Sequence, residues 1–556
     1  MKELHSFEFF VAMGVYSVMV FLAGCNAHLC GPSYADVKIP QEKFRQIETL
    51  ELPEAEPNDA PMANANDAPS KELQLSLEEC RALALQNDLK LKADLITPMI
   101  AAERLSEAEA KFEASFFANG NLDKSEVPGG TLIEVAPGVF VPAIAASKSE
   151  TSFADLGVQL PLYTGGSVTF DWADTRIKDL DGGPLFNPSY RSQFSVSVSQ
   201  PLLQNAGKWA NMHSIRVAGY SRQMIDARAK LEVIVVLAAV DRVYWRLYAA
   251  QKELQVRRQQ YDLAQGQLER AQRLVELGER TQIEIIRAEA GVAQQLEAII
   301  IAENNLRYRE RELKRVINKP GLDMRTSTVL VPLTEPDPVR YDTDHSQLVR
   351  IAMDSRMELL ELQIQLLQDA SSVDYARNQA LPLASLGYTY NITATEDSRD
   401  EALDLLYSSD FTGHRLNAQM VIRIGNQAAK SRIRQALYQR RQRLASRKDR
   451  EAMIEWEVLN AIDLVEANWQ RILAARQNSI LNGRLYEAEK RQFDLGTRTS
   501  TDVVDAQTTF ANAQIAEISA LAEYQIALVD LAYATGTILG AARIQWAPII
   551  PAGVAH

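Results

Sequence analysis

The chain has few of the features that enzymes, metalloproteins and nucleic-acid-binding proteins need. Its 556 residues include three cysteines and six histidines, and no two histidines stand at a metal-ligand spacing. It contains neither a glycine-rich phosphate loop nor a nucleophile elbow. The net charge of -13 is spread along the chain, which argues against nucleic acid as a partner. We therefore expect no enzyme activity, no cofactor and no metal site.

Long apolar runs are also scarce, and the most prominent one lies at the N-terminus. Phe9 to Ala23 is apolar and shorter than the roughly 20 residues that a membrane-spanning helix needs. This run predicts a signal peptide at residues 1–24. The stretch Leu22-Ala23-Gly24-Cys25 resembles the lipobox of bacterial lipoproteins, which implies acylation of Cys25 and sorting to the outer membrane. An ordinary signal peptide followed by a chance cysteine stays as the alternative.

The next segment, residues 25–71, is rich in Pro, Asp, Ala, Asn and Glu and cannot bury a core. It is predicted to be a disordered tether that follows the lipid anchor. The two other cysteines, Cys30 and Cys80, are too few for a disulfide framework, and whether they pair stays open.

Two stretches of the chain are copies of each other. Gly207–Gly278 and Gly425–Gly496 align without a gap at an offset of 218, and both end in Leu-Gly-x-Arg-Thr. Between those glycines each copy is dense in Ala, Leu, Arg, Glu and Gln, which predicts an uninterrupted helix of about 100 Å. Shorter helices are expected to return from the turns over Thr281–Asn318 and Thr499–Gly540.

The duplication extends upstream of these rods, because helices are predicted to begin near Ser76 and again near Ser346. The chain then divides into six parts: a signal peptide at 1–24, a tether at 25–71, a first repeat at 72–320, a linker at 321–344, a second repeat at 345–545 and a tail at 546–556.

Between the first helix and the rod of each repeat, the apolar period changes from 3.6 to 2. Apolar and polar residues alternate in Val168–Trp172, Phe194–Ser199, Leu386–Ile392 and Leu416–Ile424. Such strands fit a half-buried soluble sheet or a transmembrane barrel. The signal peptide and the shortage of residues for a covering layer favour the barrel. Three polar stretches are then expected to be external loops: Asp123–Glu150, Asp174–Tyr190 and Thr395–Asp410.

The arrangement resembles the outer-membrane efflux protein (TolC) family over roughly residues 72–545. The most specific match is Phe493-Asp-Leu-Gly-Thr-Arg-Thr-Ser-Thr-Asp-Val-Val-Asp-Ala506, close to the pattern of that family at its periplasmic tip. The resemblance implies a mainly α, internally duplicated fold. Three copies would share an outer-membrane β-barrel and an antiparallel coiled-coil α-helical barrel through the periplasm. Whether the extra strand pair near Thr164 to Gly166 joins that barrel stays open.

The resemblance also implies a gate at the tip. Asp502 and Asp505 lie one helical turn apart and match the constriction of the family, so threefold symmetry would stack two rings of carboxylates. The alternative is a solvated helix face. Arg498 and Phe493 are implied as gate links toward Ile283 and Glu284, with Arg498 able to pair with Glu284. Phe493 lacks the hydroxyl of the tyrosine that the family often has there.

The two turns are the expected docking points for a periplasmic adaptor, because exposed helix ends with small residues permit close approach. The expected contact residues are Leu277, Gly278, Arg280, Thr281, Leu495, Gly496 and Thr499. The predicted function is a homotrimeric exit duct of a tripartite efflux or type I secretion system, with an adaptor and an inner-membrane pump as partners. The alternative is an adaptor-like or structural periplasmic lipoprotein. The cargo stays open.

Overall fold

The structure is a computed structural model of the chain, and it describes residues 72–179, 187–342 and 344–546. The predicted signal peptide, the lipidation site Cys25, the tether with Cys30 and the tail after Trp546 lie outside the described residues. Cys80 is a free, fully buried cysteine, and burial raises the pKa of its thiol to about 12.

Two long helices form the rods that the duplication predicted. Helices α5 (His213–Glu276) and α10 (Gln427–Asp494) are continuous over 64 and 68 residues. Their return partners α6 (Ile283–Ile317) and α11 (Ser500–Ala534) have 35 residues each, close to the predicted bounds. The helices are α1 Leu77–Asn87, α2 Leu89–Asp94, α3 Thr97–Glu109, α4 Lys208–Asn211, α5 His213–Glu276, α6 Ile283–Ile317, α7 His345–Ser355, α8 Met357–Asn378, α9 Arg399–Ser408, α10 Gln427–Asp494, α11 Ser500–Ala534 and α12 Ile538–Ala541.

The strands are β1 Glu72–Leu75, β2 Ser115–Ala136, β3 Val139–Pro161, β4 Ser167–Asp179, β5 Ser189–Pro201, β6 Val329–Pro332, β7 Leu383–Glu396 and β8 Thr412–Val421. Six of them form one antiparallel sheet in the order β2-β3-β4-β5-β7-β8, and the two short strands β1 and β6 pair in parallel. The turn at Thr164 to Gly166 joins β3 to β4, so the extra strand pair belongs to this sheet.

The prediction that Asp123–Glu150 is an external loop was wrong, because most of it forms the long hairpin of β2 and β3. The polar side chains pair across the strands: Lys124 lies 2.8 Å from Glu150, and Lys148 lies 3.1 Å from Glu126. Cross-strand partners let a polar segment extend a sheet, and polarity along the sequence does not reveal them. The prediction that Thr395–Asp410 is an external loop was also partly wrong, because Arg399–Ser408 within it forms helix α9.

The helices nearest the sheet pack in a row. Helix α3 packs against α5, and α8 packs between α5 and α10. Salt bridges join these neighbours: Arg228 of α5 to Glu361 of α8, and Arg443 of α10 to Asp369 of α8 at 3.1 Å. Farther from the sheet, α6 packs along α5 and α11 packs along both α5 and α10.

The return helices are about half as long as the rods, and short helices stack end to end with them. The side chain of Asn318, at the end of α6, donates to the Asn87 carbonyl at the end of α1. Arg356, which is only 4% exposed, donates to the Ala534 carbonyl at the end of α11 and pairs with Glu358 and Glu457. Within the described ranges, no helix combines the length and hydropathy needed to cross a bilayer.

Candidate functional site at the hairpin tips

Both hairpins reverse at a glycine that has a left-handed backbone. Gly278 has φ +74° and Gly496 has φ +79°, a region that side-chain-bearing residues rarely adopt. The N–H of Gly278 donates to the Val275 carbonyl at 2.9 Å, and the N–H of Glu279 donates to the Leu274 carbonyl at 3.0 Å. The second tip repeats both bonds, from Gly496 to Phe493 and from Thr497 to Gln492, each at 3.0 Å. These bonds satisfy the last carbonyls of α5 and α10 and fix the same turn twice.

The residues at the apex of each turn are exposed. Leu277 is 73% exposed and Leu495 is 79% exposed. A Cβ atom added to Gly278 would meet no heavy atom within 4 Å, and one added to Gly496 would meet only the Arg280 guanidinium at 3.8 Å. The predicted docking residues therefore form two open, apolar apices with space around them.

The two return helices begin differently, although their sequences correspond. In the second repeat, Thr499 and Asp502 form a capping box at the start of α11. The equivalent residues of the first repeat, at the offset of 218, are Thr281 and Glu284. Glu284 does not cap α6, and its carboxylate crosses to α11 instead, where it accepts from both the N–H and the hydroxyl of Ser500.

Three contacts join the tip of the first hairpin to that of the second. Glu284 binds Ser500. The guanidinium of Arg280 lies 5.3 Å from the centre of the buried Phe493 ring. Arg270 of α5 forms a salt bridge with Asp494 of α10 at 2.7 Å. A link through Phe493 therefore exists without a hydroxyl group, because a cation over the ring replaces a hydrogen bond.

The carboxyl of Glu284 is held in its charged form. Burial opposes its ionisation, but the hydrogen bonds from Ser500 and the charge of Arg287, 2.8 Å away, outweigh that effect and lower its pKa. Glu284 is 7% exposed, so its charge lies inside the contact between the hairpins.

The expected pair between Arg498 and Glu284 does not form in this structure. Arg498 stays on its own hairpin, where Nε lies 3.2 Å from a carboxylate oxygen of Glu489 and donates to the Gln492 side chain at 3.1 Å. Its repeat equivalent Arg280 crosses to the other hairpin instead. In this structure Glu284 binds Ser500 and Phe493 contacts Arg280, so these residues have partners other than the expected ones, and their role as gate links stays a prediction.

The two proposed gate carboxylates have different surroundings. Asp502 accepts from the N–H and hydroxyl of Thr499, and these bonds lower its pKa. The side chain of Asp505 is exposed one turn farther along α11. Ile283, the remaining predicted link residue, is 52% exposed at the start of α6.

Sequence reasoning missed several residues of this contact. Ser500, Arg270 and Asp494 take part in the links described above. Farther from the tips, the buried side chain of Gln507 in α11 donates to the Gln260 carbonyl of α5 at 2.9 Å. A comparison of the two repeats offers one indication for Ser500, because Gln282 stands at its equivalent position and the two tips therefore differ there.

A separate group of carboxylates lies at the far end of β7. Glu396, Asp397 and Glu401 can each place an oxygen within 4.8 Å of the others. Acidic side chains at the surface commonly cluster without an ion, so we assign no metal site there.

The link through Glu284 should weaken in acid. Because the pKa of Glu284 is lowered by the fold, its stabilising effect is present above the ordinary glutamate pKa of about 4.3 and is lost as the pH falls through the folded value. We expect amide hydrogen exchange at both tips, corrected for intrinsic rates, to increase on acidification. The Glu284→Gln variant, which cannot titrate at this position, should show a smaller increase, which is left by Asp502 at the second tip. Equal pH profiles for the parent and this variant would contradict the assignment.

A comparison with known protein families identifies the family of this chain. The family model of the outer membrane efflux protein matches residues 164–319 and 348–537, which is more than half of the chain. The chain belongs to this family. Both matched segments contain one rod, its glycine turn and its return helix, so the hairpin tips lie within the part of the chain that identifies this efflux protein.

Solved structures share the fold of this outer membrane efflux protein at low sequence identity. The CmeC outer membrane channel of Campylobacter jejuni has a TM-score of 0.59 at 15% identity, over 83% of this chain and 85% of CmeC. VceC of Vibrio cholerae has a TM-score of 0.58 at 12% identity, over 83% of this chain and 96% of VceC. The CusC structure has a TM-score of 0.59 at 12% identity, over 83% and 92%. No curated protein matches the sequence.

Proposed function

We propose that this protein is the trimeric exit duct of a tripartite efflux or type I secretion system, passive in transport and gated at its periplasmic tip. The observation that carries the proposal is the six-stranded sheet with one apolar face, one polar face and two unpaired edges. Membership of the outer membrane efflux protein family supports the same function.

The two faces of the sheet differ in polarity, with two exceptions on the edge strands, His414 in the apolar row and Phe117 in the polar row. One row of paired residues is Phe116, Val158, Phe170, Val196, Tyr390 and His414. The next row, on the opposite face, is Phe117, Gly157, Asp171, Ser195, Asn391 and Gly413. Phe116 and Phe170 are 69% and 44% exposed, so no element within residues 72–179, 187–342 and 344–546 covers the apolar face. Lipid outside and water inside satisfy both faces.

The edges of the sheet favour assembly of several copies. Within the described residues, β2 and β8 each pair on one side only, and β8 is exposed along nearly its whole length. Unpaired backbone groups in a bilayer are costly, so the edge of one copy needs the edge of another. Three copies would close the sheet into a barrel and continue it as a helical tunnel.

The test is the assembly and conductance of the full-length protein. Detergent extracts of outer membranes should contain a species with three copies by native mass spectrometry. That species should form ion-conducting channels in planar bilayers. A protein that remains monomeric and soluble after removal of its first 25 residues would end the proposal.

We also propose that Asp502 and Asp505 line the constriction of this duct. In a trimer they would form two stacked rings of carboxylates, and such rings bind cations. The substitutions Asp502→Asn and Asp505→Asn remove both charges, and an asparagine oxygen at 502 can still accept from the Thr499 N–H, whereas alanine would remove that half of the capping box.

The expected result is a channel of parental stability that multivalent cations no longer block. Bilayer recordings with and without a trivalent cation measure the block. The control is Glu517→Gln, which removes a carboxylate farther along α11. Persistent block in the doubly substituted protein would show that the two side chains form only a solvated helix face.

Lipid attachment at Cys25 is a further part of the proposal, with residues 1–24 removed as a signal peptide and 25–71 acting as a tether. The lipobox-like Leu22-Ala23-Gly24-Cys25 supports it. The intact mass of the mature protein should correspond to residues 25–556 plus acyl chains. A Cys25→Ser variant should lack that added mass. An unmodified thiol at residue 25 in the parent would contradict lipidation without affecting the trimer.

A further inference from the structure

Helix α10 begins with a concentrated run of positive charge. Between residues 430 and 448 it has eight Lys and Arg residues and neither Asp nor Glu. These are Lys430, Arg432, Arg434, Arg440, Arg441, Arg443, Arg447 and Lys448. The run contrasts with the net charge of -13 of the whole chain.

One side of this part of α10 is already occupied. Ala429 and Ala436 are buried, and Arg443 binds Asp369 and Gln365 of α8. At about 100° per residue, Lys430, Arg434 and Arg441 share another side of the helix, turned at least about 100° away from the α8 contact. We call these three residues the basic stripe.

Among the residues that the structure describes, no other element provides a partner for the basic stripe. Its side chains are exposed, and the one hydrogen bond among them joins Arg434 to Ser431 of the same helix. Two exposed apolar residues flank the stripe: Tyr438, 61% exposed, and Leu444, 44% exposed. Arginine and tyrosine are both enriched at protein interfaces relative to the rest of the protein surface.

Helix α3 has the complementary surface. It buries Ala101 and Ala102 against α5, and on the opposite side it exposes Glu103 and Glu107. Within the described part of the chain, neither carboxylate has a side-chain partner. The exposed apolar residues beside them are Met99 and Ile100. We call the side formed by Glu103 and Glu107 the acidic face.

These two surfaces lie on the two end helices of one row. The order near the sheet is α3, α5, α8, α10, so the acidic face begins the row and the basic stripe ends it. When copies close into a ring, the end of one row meets the beginning of the next. Opposite charges then face each other without any rearrangement inside a chain.

We propose that the basic stripe of α10 binds the acidic face of α3 in a second copy of this chain. The inference rests on the proposed trimer and adds which surfaces join the copies below the sheet. Exposed ion pairs contribute little stability individually, but complementary charges fix orientation and exclude wrong registers. The contact between the basic stripe and the acidic face, which we call the seam, therefore determines how neighbouring copies align. The flanking apolar residues supply the buried area.

Cysteine cross-linking in the full-length protein tests the contact. Glu107→Cys is combined in turn with Lys430→Cys, Arg434→Cys and Arg441→Cys. At least one combination should give covalent dimers and trimers on mild oxidation. Each single substitution controls for the native cysteines. The matched pairs of Glu107→Cys with Arg432→Cys or Arg440→Cys, on side chains that flank the α8 contact, should give none.

Charge reversal gives an independent measurement. Arg434→Glu with Arg441→Glu should cause loss of the trimer on a dilution that leaves the parent trimeric. Adding Glu103→Arg and Glu107→Arg should restore it. The control, Arg432→Glu with Arg440→Glu, changes the same charge on the same helix and should leave the trimer intact.

The outcomes separate the two proposals. A trimer by native mass with no cross-link in any test combination and no rescue by the swapped charges would overturn the seam and leave the duct intact. A parent protein that forms no trimer would overturn both. Cross-links in the control pairs at the yield of the test pairs would also overturn the seam.

Discussion

Leucine at both Gly278 and Gly496 is expected to abolish export while the protein remains assembled in the outer membrane. The reason is the shape of the apices. Each glycine lies beside a largely exposed leucine, with no backbone or core atom close to its Cα hydrogens. If an adaptor approaches these turns closely, a side chain at either glycine occupies the space that the adaptor needs.

Backbone strain must be separated from bulk in this experiment. Both glycines have positive φ, so any side chain there costs roughly 1–2 kcal/mol. Alanine at both positions introduces the same strain with little volume and should retain most of the export. Gly266→Leu in α5, where an added Cβ atom also meets open space, adds the volume without the strain and should be neutral.

Export of a known pump substrate from intact cells, together with the amount of trimer in the outer membrane, measures the effect. Parental export by the doubly leucine-substituted protein would place adaptor docking elsewhere on the chain. Equal losses in the alanine and leucine variants would attribute the effect to the turn conformation and not to contact with a partner.

The rods could be predicted because their evidence is local and is present twice. Helix-forming composition extends from glycine to glycine, and each end has the sequence of a turn. The start of the first rod was less predictable. A short helix, Lys208–Asn211, precedes the rod, and the side chain of Asn211 binds the carbonyls of Asn205 and Gly207. That arrangement depends on the adjacent sheet turn, where Thr164 accepts from Gly207.

The sheet was partly predictable for a different reason. Alternation identified the strands with one apolar face, but it failed for Asp123–Glu150. Polar residues there are paired between β2 and β3, and their pairing depends on which residues face each other. A polar strand and a polar loop have the same composition, so only the register distinguishes them.

At the candidate site the sequence predicted positions better than partners. Arg280 and Arg498 are equivalent in the two repeats, and so are Glu284 and Asp502. In the structure one member of each pair crosses between the hairpins and the other stays on its own hairpin. Which one crosses depends on the residues that the other hairpin presents, here Phe493 to Arg280 and Ser500 to Glu284. Contacts between separate elements leave no periodic pattern in either sequence.

The second large effect that we expect is on the resting conductance of the channel. It follows from the crossing contacts of Arg280 and Glu284, which bind the other hairpin. Arg280→Ala combined with Glu284→Ala removes the cation over Phe493 and the acceptor for Ser500. Two of the three described contacts between the tips are then lost, and Ser500, which is fully buried, loses its acceptor. A buried hydroxyl left unpaired costs about 1–3 kcal/mol. The free-energy difference that favours the closed arrangement of the tips over an open one should therefore become much smaller.

If these contacts hold the duct closed, the doubly substituted channel should conduct severalfold more current at rest in bilayer recordings, and Arg270→Ala should add to the increase. Arg498→Ala is the matched arginine control. Its side chain binds Glu489 and Gln492 of its own hairpin, so it should raise conductance less than Arg280→Ala alone. A larger effect of Arg498→Ala would mean that Arg498 crosses to a neighbouring copy in the assembled channel. Parental conductance in every variant would show that closure depends on residues outside the hairpin tips.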